Sequence, residues 1–259
     1  MRILVCAKRV PAPGAKINIT ADGQAVDSAY LAFTTSPHEE CAVEEAVRLV
    51  EAHGGESTVL TLGPPEAEEQ LRYAASIGIN KCVLLPIPVA AGNNDWDPQR
   101  TAAAIGSAIQ RIEAAEGAFD LILFGNESAD AGNFQIGVRV AHALDRPMVN
   151  GIKGIAIEGD RARARRETDA GVEVYVVPMP AVLGVKEGIN LPRYPTLKGR
   201  LASKKVVVDS VVPTAAPGGQ QLVTLVQTAE QSSHTIVLGH GPDAAPAVVD
   251  LLEELGLLK

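Results

Sequence analysis

Short apolar runs alternate with amphipathic, capped stretches from Arg2 to Leu144, and this alternation restricts the fold more than any other feature of the chain. The runs Arg2–Ala7, Ser57–Leu62, Lys81–Pro86 and Leu121–Phe124 are apolar at nearly consecutive positions, as strands buried on both faces must be. Helical stretches with explicit start signals separate them. Ser36-Pro37-His38-Glu39 combines a Ser cap, a Pro at the first helical position and a Glu three residues after the cap, which predicts a helix from Pro37 to about His53, stopped by Gly54-Gly55. Gly63-Pro64-Pro65 turns the chain into a helix over Glu66–Ser76, Asp97-Pro98 opens another through about Ala115, and a further helix is predicted to open near Asn133. The β-α-β-α order implies an α/β fold: a doubly wound, mostly parallel sheet covered by helices on both faces.

Beyond Pro147 the pattern changes. Gly151–Glu158, Arg161–Thr168, Val172–Val177 and Ala181–Val185 are β-branched or alternating runs broken by Gly-Asp and Asp-Ala-Gly turns, which predicts an antiparallel extension of the sheet. A small hairpin is expected at Ile17–Val26, turning on Asp22-Gly23. Gly188–Arg200 carries two prolines and no periodicity, so it reads as an ordered loop. Val206–Val212 closes a first domain, 1–212, whose docking loop lies near 188–201. Residues 213–259 form a C-terminal arm: a Pro-, Gly- and Ala-rich linker over Pro213–Gln221, then an amphipathic helix over Asp243–Leu257. Its stripe of Ala247, Val248, Leu251, Leu252, Leu255 and Leu258 suits core or partner-subunit contact.

Composition excludes several classes. With 259 residues, 46% of them hydrophobic, the chain can bury a sizeable core. No apolar run approaches the roughly 18 residues of a spanning helix, and no charged-then-apolar leader precedes Met1-Arg2-Ile3, so a cytoplasmic protein without a membrane span is expected. Cys6, Cys41 and Cys82 lie in apolar periodic segments without Cys-x-x-Cys spacing and read as buried thiols. A net charge of −8 and an aromatic content of 3% argue against nucleic-acid binding. His38-Glu39-Glu40-Cys41 resembles a metal motif only in composition, because consecutive helical residues diverge, and no metal is expected. The common catalytic spacings are absent, and Glu127 and Asp130 have no accompanying nucleophile or His. No catalytic residue is assigned.

One stretch points to a ligand. The strand Leu121–Phe124 enters a small-residue loop, Gly125 to Gly132, that leads into the helix near Asn133. In open parallel sheets, ligands bind beyond the carboxyl ends of strands, where helix N-termini offer backbone N–H groups to an anion. A phosphate-bearing ligand at Gly125–Ile136 is the functional expectation; a tight strand-to-helix connection is the alternative.

Several separated stretches together resemble one family. They are Leu4-Val5-Cys6-Ala7-Lys8-Arg9-Val10; the helix from Ser36 through Leu49; the Gly125–Gly137 loop; Arg165-Arg166-Glu167-Thr168-Asp169-Ala170-Gly171-Val172-Glu173; Met179-Pro180-Ala181-Val182; and Pro192-Arg193-Tyr194-Pro195-Thr196-Leu197-Lys198-Gly199-Arg200. In order and spacing to about Val208 they resemble the small (β) subunit of electron-transfer flavoproteins. The resemblance implies an adenine nucleotide alpha hydrolase-like fold and an electron carrier without substrate turnover. Such a carrier is a heterodimer whose α subunit holds most of the FAD. It accepts electrons from flavoprotein dehydrogenases and passes them toward a quinone oxidoreductase or another acceptor.

The resemblance also implies an AMP in this subunit, or a second FAD if the chain belongs to the electron-bifurcating branch. Carried over by position, the nucleotide site comprises Cys6, Ser36, Pro37, His38, Glu39, Leu62, Gly125, Asn126, Glu127, Ser128, Ala129, Asp130, Ala131, Gly132, Asn133, Phe134, Gln135 and Ile136. Pro13 and His38 fall near the flavin, Glu167 at a gating position, and Arg193, Tyr194, Leu197, Lys198 and Arg200 in the docking segment. Pro13 and His38 stand where familiar members are aromatic, and the loop reads Asn-Glu-Ser-Ala-Asp-Ala-Gly-Asn, more acidic at its start than a phosphate favours. Two other classes stay open: a stand-alone adenine-nucleotide module and a structural interaction protein with an empty cleft.

Overall fold

In the first strand, β1 (Arg2–Cys6), Ile3 and Val5 enter one hydrophobic cluster while Leu4 and Cys6 enter another, so successive side chains feed opposite faces of the sheet. A computed structural model describes residues 1–87, 96–228 and 235–258 of the chain. It divides into two units, Met1–Leu225 and Val226–Lys259.

In chain order the first unit holds β1, β2 (Val10–Pro11), β3 (Phe33–Thr34), α1 (Pro37–His53), β4 (Glu56–Gly63), α2 (Glu68–Ile77), β5 (Lys81–Pro86), α3 (Pro98–Glu116), β6 (Leu121–Gly125), α4 (Ile136–Ala143), β7 (Met148–Glu158), β8 (Arg161–Thr168), β9 (Gly171–Pro178), β10 (Ala181–Val185), α5 (Leu197–Ser203) and β11 (Val208–Ser210). The main sheet runs β11-β5-β4-β1-β6-β10-β7-β8-β9. Pairing is parallel from β11 through β7 and antiparallel across β7, β8 and β9. Helices α1 and α2 cover the face holding Ile3 and Val5; α3 and α4 cover the face holding Leu4 and Cys6. This is the doubly wound α/β fold that the alternation predicted. All three cysteines are buried and free, and among the described residues no helix is long and apolar enough to cross a membrane.

Four local expectations need correction. Ala181–Val185 does not join the antiparallel extension: β10 inserts between β6 and β7, parallel to both. An uninterrupted apolar pentad signals burial on both faces but carries no information about its neighbours. The helix expected near Asn133 starts at Ile136, because Phe134 adopts φ +57, a left-handed conformation no α-helix contains. The segment Gly188–Arg200 is not all loop, since the Thr196 hydroxyl accepts the Gly199 N–H at 3.0 Å and caps α5 from Leu197 onward. At Ile17–Val26 only a single bridge forms, Ile19 to Val26, instead of a ladder.

The segment before α5 is fastened to α1 by polar contacts. The Arg193 guanidinium donates to Glu44 (2.9 Å) and to Glu51 (2.7 Å), and its backbone N–H also donates to Glu44 at 3.1 Å. The Asn190 side chain donates to Cys41 O at 3.0 Å and to Glu45 at 2.9 Å. Glu44 and Glu45 are both buried, and this segment supplies donors to each, as a buried carboxylate requires. Residues 213–225 continue within the first unit, with the Gln220 N–H donating to Asp97 (2.9 Å) and the Leu225 N–H to Gly23 O (2.8 Å). In the second unit, helix α6 (Ala245–Glu254) follows a 3-10 turn at Gly241–Ala244 and buries none of its residues within the chain. Residues 229–234 and 259 of the proposed arm lie outside the described residues.

Replacing Arg193 by Ala leaves Glu44 buried without its main partner. We expect a loss of about 1–3 kcal/mol in denaturant unfolding, moderated because Arg193 itself is 37% exposed in its side chain. Faster amide exchange over 188–203 accompanies it, and unchanged exchange there would show that other contacts hold the segment.

Candidate functional site

The carboxyl ends of β1 and β6 meet the start of α1 at the point where the strand order departs in both directions from β1, with β4 on one side and β6 on the other. Open α/β sheets bind ligands at such a point. Gly125, the last residue of β6, makes the approach possible: a Cβ there would sit 2.7 Å from Glu39 Cγ and 3.2 Å from both Glu39 N and His38 Cβ. The missing side chain lets the first turn of α1 lie against the strand end.

That first turn is held from within. Ser36 takes an extended conformation ahead of Pro37, and its N–H donates to Glu39 Oε2 at 3.1 Å. This is the acidic half of the capping box expected from the Ser-Pro-His-Glu spacing. Glu39 is nevertheless buried, and burial raises its carboxyl from 4.5 to about 7, opposed by hydrogen bonds from Ser36 and Lys8. Burial, with Glu39 beside it, also pushes the Cys6 thiol well above its ordinary value, so Cys6 is an inert core thiol beneath the site.

Above this floor lies a cleft of about 280 Å³, lined by Ser36, Pro37, His38 and the loop residues Glu127, Ser128, Ala129, Asp130, Ala131 and Gly132. Two carboxylates line it, and each has a partner from another element. Lys8 Nζ lies 2.6 Å from Asp130 Oδ2, while the Ala131 N–H donates to Asp130 Oδ1 at 2.7 Å. Burial alone would raise Asp130, but the charge and hydrogen bond of Lys8, with help from Ser128 and Ala131, hold it below the ordinary carboxylate value. His38 Nδ1 accepts the Glu187 N–H at 2.8 Å, which leaves Nε2, 3.4 Å from Glu127 Oε1, to face the loop. His38 therefore ties the chain after β10 to the cleft wall.

The structure brings together nine of the residues singled out from sequence as this lining. Gly125, Glu39 and Cys6 lie behind it. Asn126 continues the β6–β10 pairing, its N–H donating to Val185 O at 2.8 Å. Leu62 and Ile136 pack against the core cluster on the α3 face. Gln135 is spent on Arg139 at 2.8 Å, and Phe134 is exposed. Neither Asn133 nor Leu62 is among the cleft-lining residues. Pro13 is exposed in a turn, and Glu167 on β8 accepts from Lys153 at 2.8 Å. In the docking segment Tyr194 and Leu197 are 89% and 75% exposed, and Lys198 is exposed beside them, whereas Arg193 is committed to α1. Sequence reasoning missed Lys8, Glu187 and the Glu44–Arg193 clamp, whose partners lie too far apart in the chain to leave a local signal.

Comparison with known proteins adds an independent line. The electron transfer flavoprotein domain model matches residues 26–216. The electron transfer flavoprotein subunit beta of Thermoanaerobacterium thermosaccharolyticum is 32% identical over 199 residues, covering 77% of this chain and 73% of the relative. Its counterpart in Syntrophomonas wolfei is 34% identical over 217 residues, 83% and 81% of the two chains. The Megasphaera elsdenii protein of the same name is 28% identical over 266 residues, 98% and 97%.

Glu39 makes folding pH-dependent with a definite sign. Its folded value, about 7, lies above the ordinary 4.5, so the stability it contributes is complete below about 4.5 and is lost as pH rises through about 7. Glu39→Gln keeps an acceptor for the Ser36 N–H and removes the titration. We expect the variant's stability to fall less than the wild type's between those values, by up to about 3 kcal/mol, and parallel pH profiles would refute this account of Glu39.

Proposed function

The chain belongs to the electron transfer flavoprotein family, among its β subunits, and from that membership we propose that it is the small subunit of a two-subunit electron carrier that binds an adenine nucleotide in the cleft at β1 and β6. The observation that carries this is the position of the cleft: it opens at the switch point of the sheet, against the positive end of the α1 dipole, with small residues along the loop. Ser128, Ala129, Ala131 and Gly132 leave room for a ligand in a cleft of about 280 Å³, a size in keeping with part of a nucleotide seated against the loop. AMP is the proposed occupant, with a structural role, and the FAD of the complex is held mainly by the α subunit. Bound flavin supplies the redox chemistry; this chain supplies a rigid base, a nucleotide that stiffens it, and a surface for partners.

Four surface features support separate parts of the same proposal. Tyr194 and Leu197 project from a segment that is itself clamped to α1, an arrangement suited to presenting a single apolar anchor to a flavoprotein dehydrogenase. Glu167, already 2.8 Å from Lys153 on an exposed strand, is proposed to exchange that partner for a cation of the α subunit and so bias the position of its flavin domain. The apolar stripe of α6, exposed within this chain, is proposed to lie against the α subunit. Pro13, exposed in its turn, is proposed to face the flavin of the α subunit.

Denaturing the purified heterodimer and separating the released nucleotides tests the cleft. One FAD and one AMP per complex are expected; two FAD would replace the AMP proposal with the bifurcating alternative, and FAD alone would remove the cleft assignment. Leu197→Ala tests docking. Because Leu197 is largely exposed, the variant should unfold at the wild-type temperature and keep its flavin while its reduction by the cognate dehydrogenase slows about tenfold or more. Wild-type electron transfer in that variant would exclude Leu197 as the anchor.

A further inference from the structure

A cleft offered to a phosphate ought not to be lined by carboxylates, yet this one has two, Glu127 and Asp130. Like charge at contact distance costs a ligand affinity steeply in a partly enclosed site. Asp130 is ionised at neutral pH, being held below the usual carboxylate range chiefly by Lys8 against the effect of burial. Its two oxygens are turned to different partners. Oδ1 folds back on the Ala131 N–H of its own loop, and Oδ2 meets Lys8 Nζ at 2.6 Å. Lys8 lies two residues past the end of β1, so the pair also crosses from the chain after β1 to the loop after β6. Glu127 faces His38 Nε2 at 3.4 Å, a longer contact with a side chain that is charged only when protonated. The permanent charge compensation in the cleft is Lys8.

We propose that Lys8 is a positioning residue of the cleft, whose function is to cancel and hold aside the Asp130 carboxylate so that an anionic nucleotide can enter. The proposal rests on the nucleotide reading of the cleft and adds to it the group on which selectivity for a charged ligand depends. Lys8 acts through Asp130 and not by contact with the phosphate, and this distinction has a measurable signature. Removing Lys8 exposes a negative charge to the ligand. Removing Asp130 as well abolishes the need for Lys8.

The test uses the heterodimer in nucleotide-free form, titrated calorimetrically with AMP and with adenosine, which shares the base and ribose but carries no charge. For Lys8→Gln we expect AMP to bind about tenfold more weakly, with adenosine unchanged. Asp130→Asn should bind AMP at least as tightly as the wild type. In the Lys8→Gln/Asp130→Asn double variant, AMP affinity should return to within about threefold of wild type. A double variant as weak as Lys8→Gln would mean that Lys8 touches the phosphate itself and would overturn the proposal. Equal losses for AMP and adenosine would assign Lys8 a merely structural role, and unchanged AMP binding in Lys8→Gln would reduce the pair to a surface contact; both overturn it. A wild-type complex that binds no AMP removes the nucleotide reading first, which separates the two failures.

Discussion

Everything near the cleft depends on one close approach, that of the first turn of α1 to the end of β6. It exists because residue 125 has no Cβ, so Glu39 Cγ can occupy the space a side chain would take. The same approach forces Glu39 into the interior, where its carboxylate survives on donors from Ser36 and from the Lys8 backbone. A helix start, two strand ends and a loop are thereby held at fixed separation, and the cleft is what remains between them. Any ligand there meets backbone and small side chains whose positions are set by the core below.

Helix α1 does two jobs with two ends. Its first turn walls the cleft through Pro37 and His38, and its middle, through Glu44, Glu45 and Glu51, holds the segment that carries Tyr194 and Leu197. Most surface ion pairs contribute little, but Glu44 and Glu45 are buried, and buried carboxylates without donors are strongly unfavourable. The exposed Tyr194 and Leu197 are consequently mounted on a stiff base and not on a free loop. His38 adds a third tie by accepting the Glu187 N–H, so the cleft and the proposed docking segment are bracketed to the same helix.

Charge in the cleft is local bookkeeping between elements distant in the chain. Although the chain carries −8 overall, Asp130 in the cleft is matched by the permanent charge of Lys8, and Glu127 faces His38 Nε2 at 3.4 Å. Net charge therefore says little about what the cleft accepts, because at a few ångströms the nearest counter-ion outweighs a diffuse surface excess.

Local physics made much of this legible in advance. Strands β1, β4, β5 and β6 announce themselves by apolar runs, and α1 by a cap, a proline and a glutamate within four residues, because both signals depend on neighbours in sequence. The loop after β6 stood out for the same reason, and nine residues from it and from the α1 start line the cleft. What needed the tertiary structure was every feature decided by partners far away. The insertion of β10 between β6 and β7 is a choice of neighbours that an apolar pentad does not encode. The left-handed Phe134 moved the start of α4 to Ile136. Thr196 made a helix of the proline-rich segment, and Arg193, expected at a partner's surface, found Glu44 149 residues away. Sequence alone determined most of the strands and the capped helices, since periodicity and capping act over a few residues. Only the folded chain decided which charges meet, since an ion pair depends on distance in space, and folding sets that distance independently of separation along the chain.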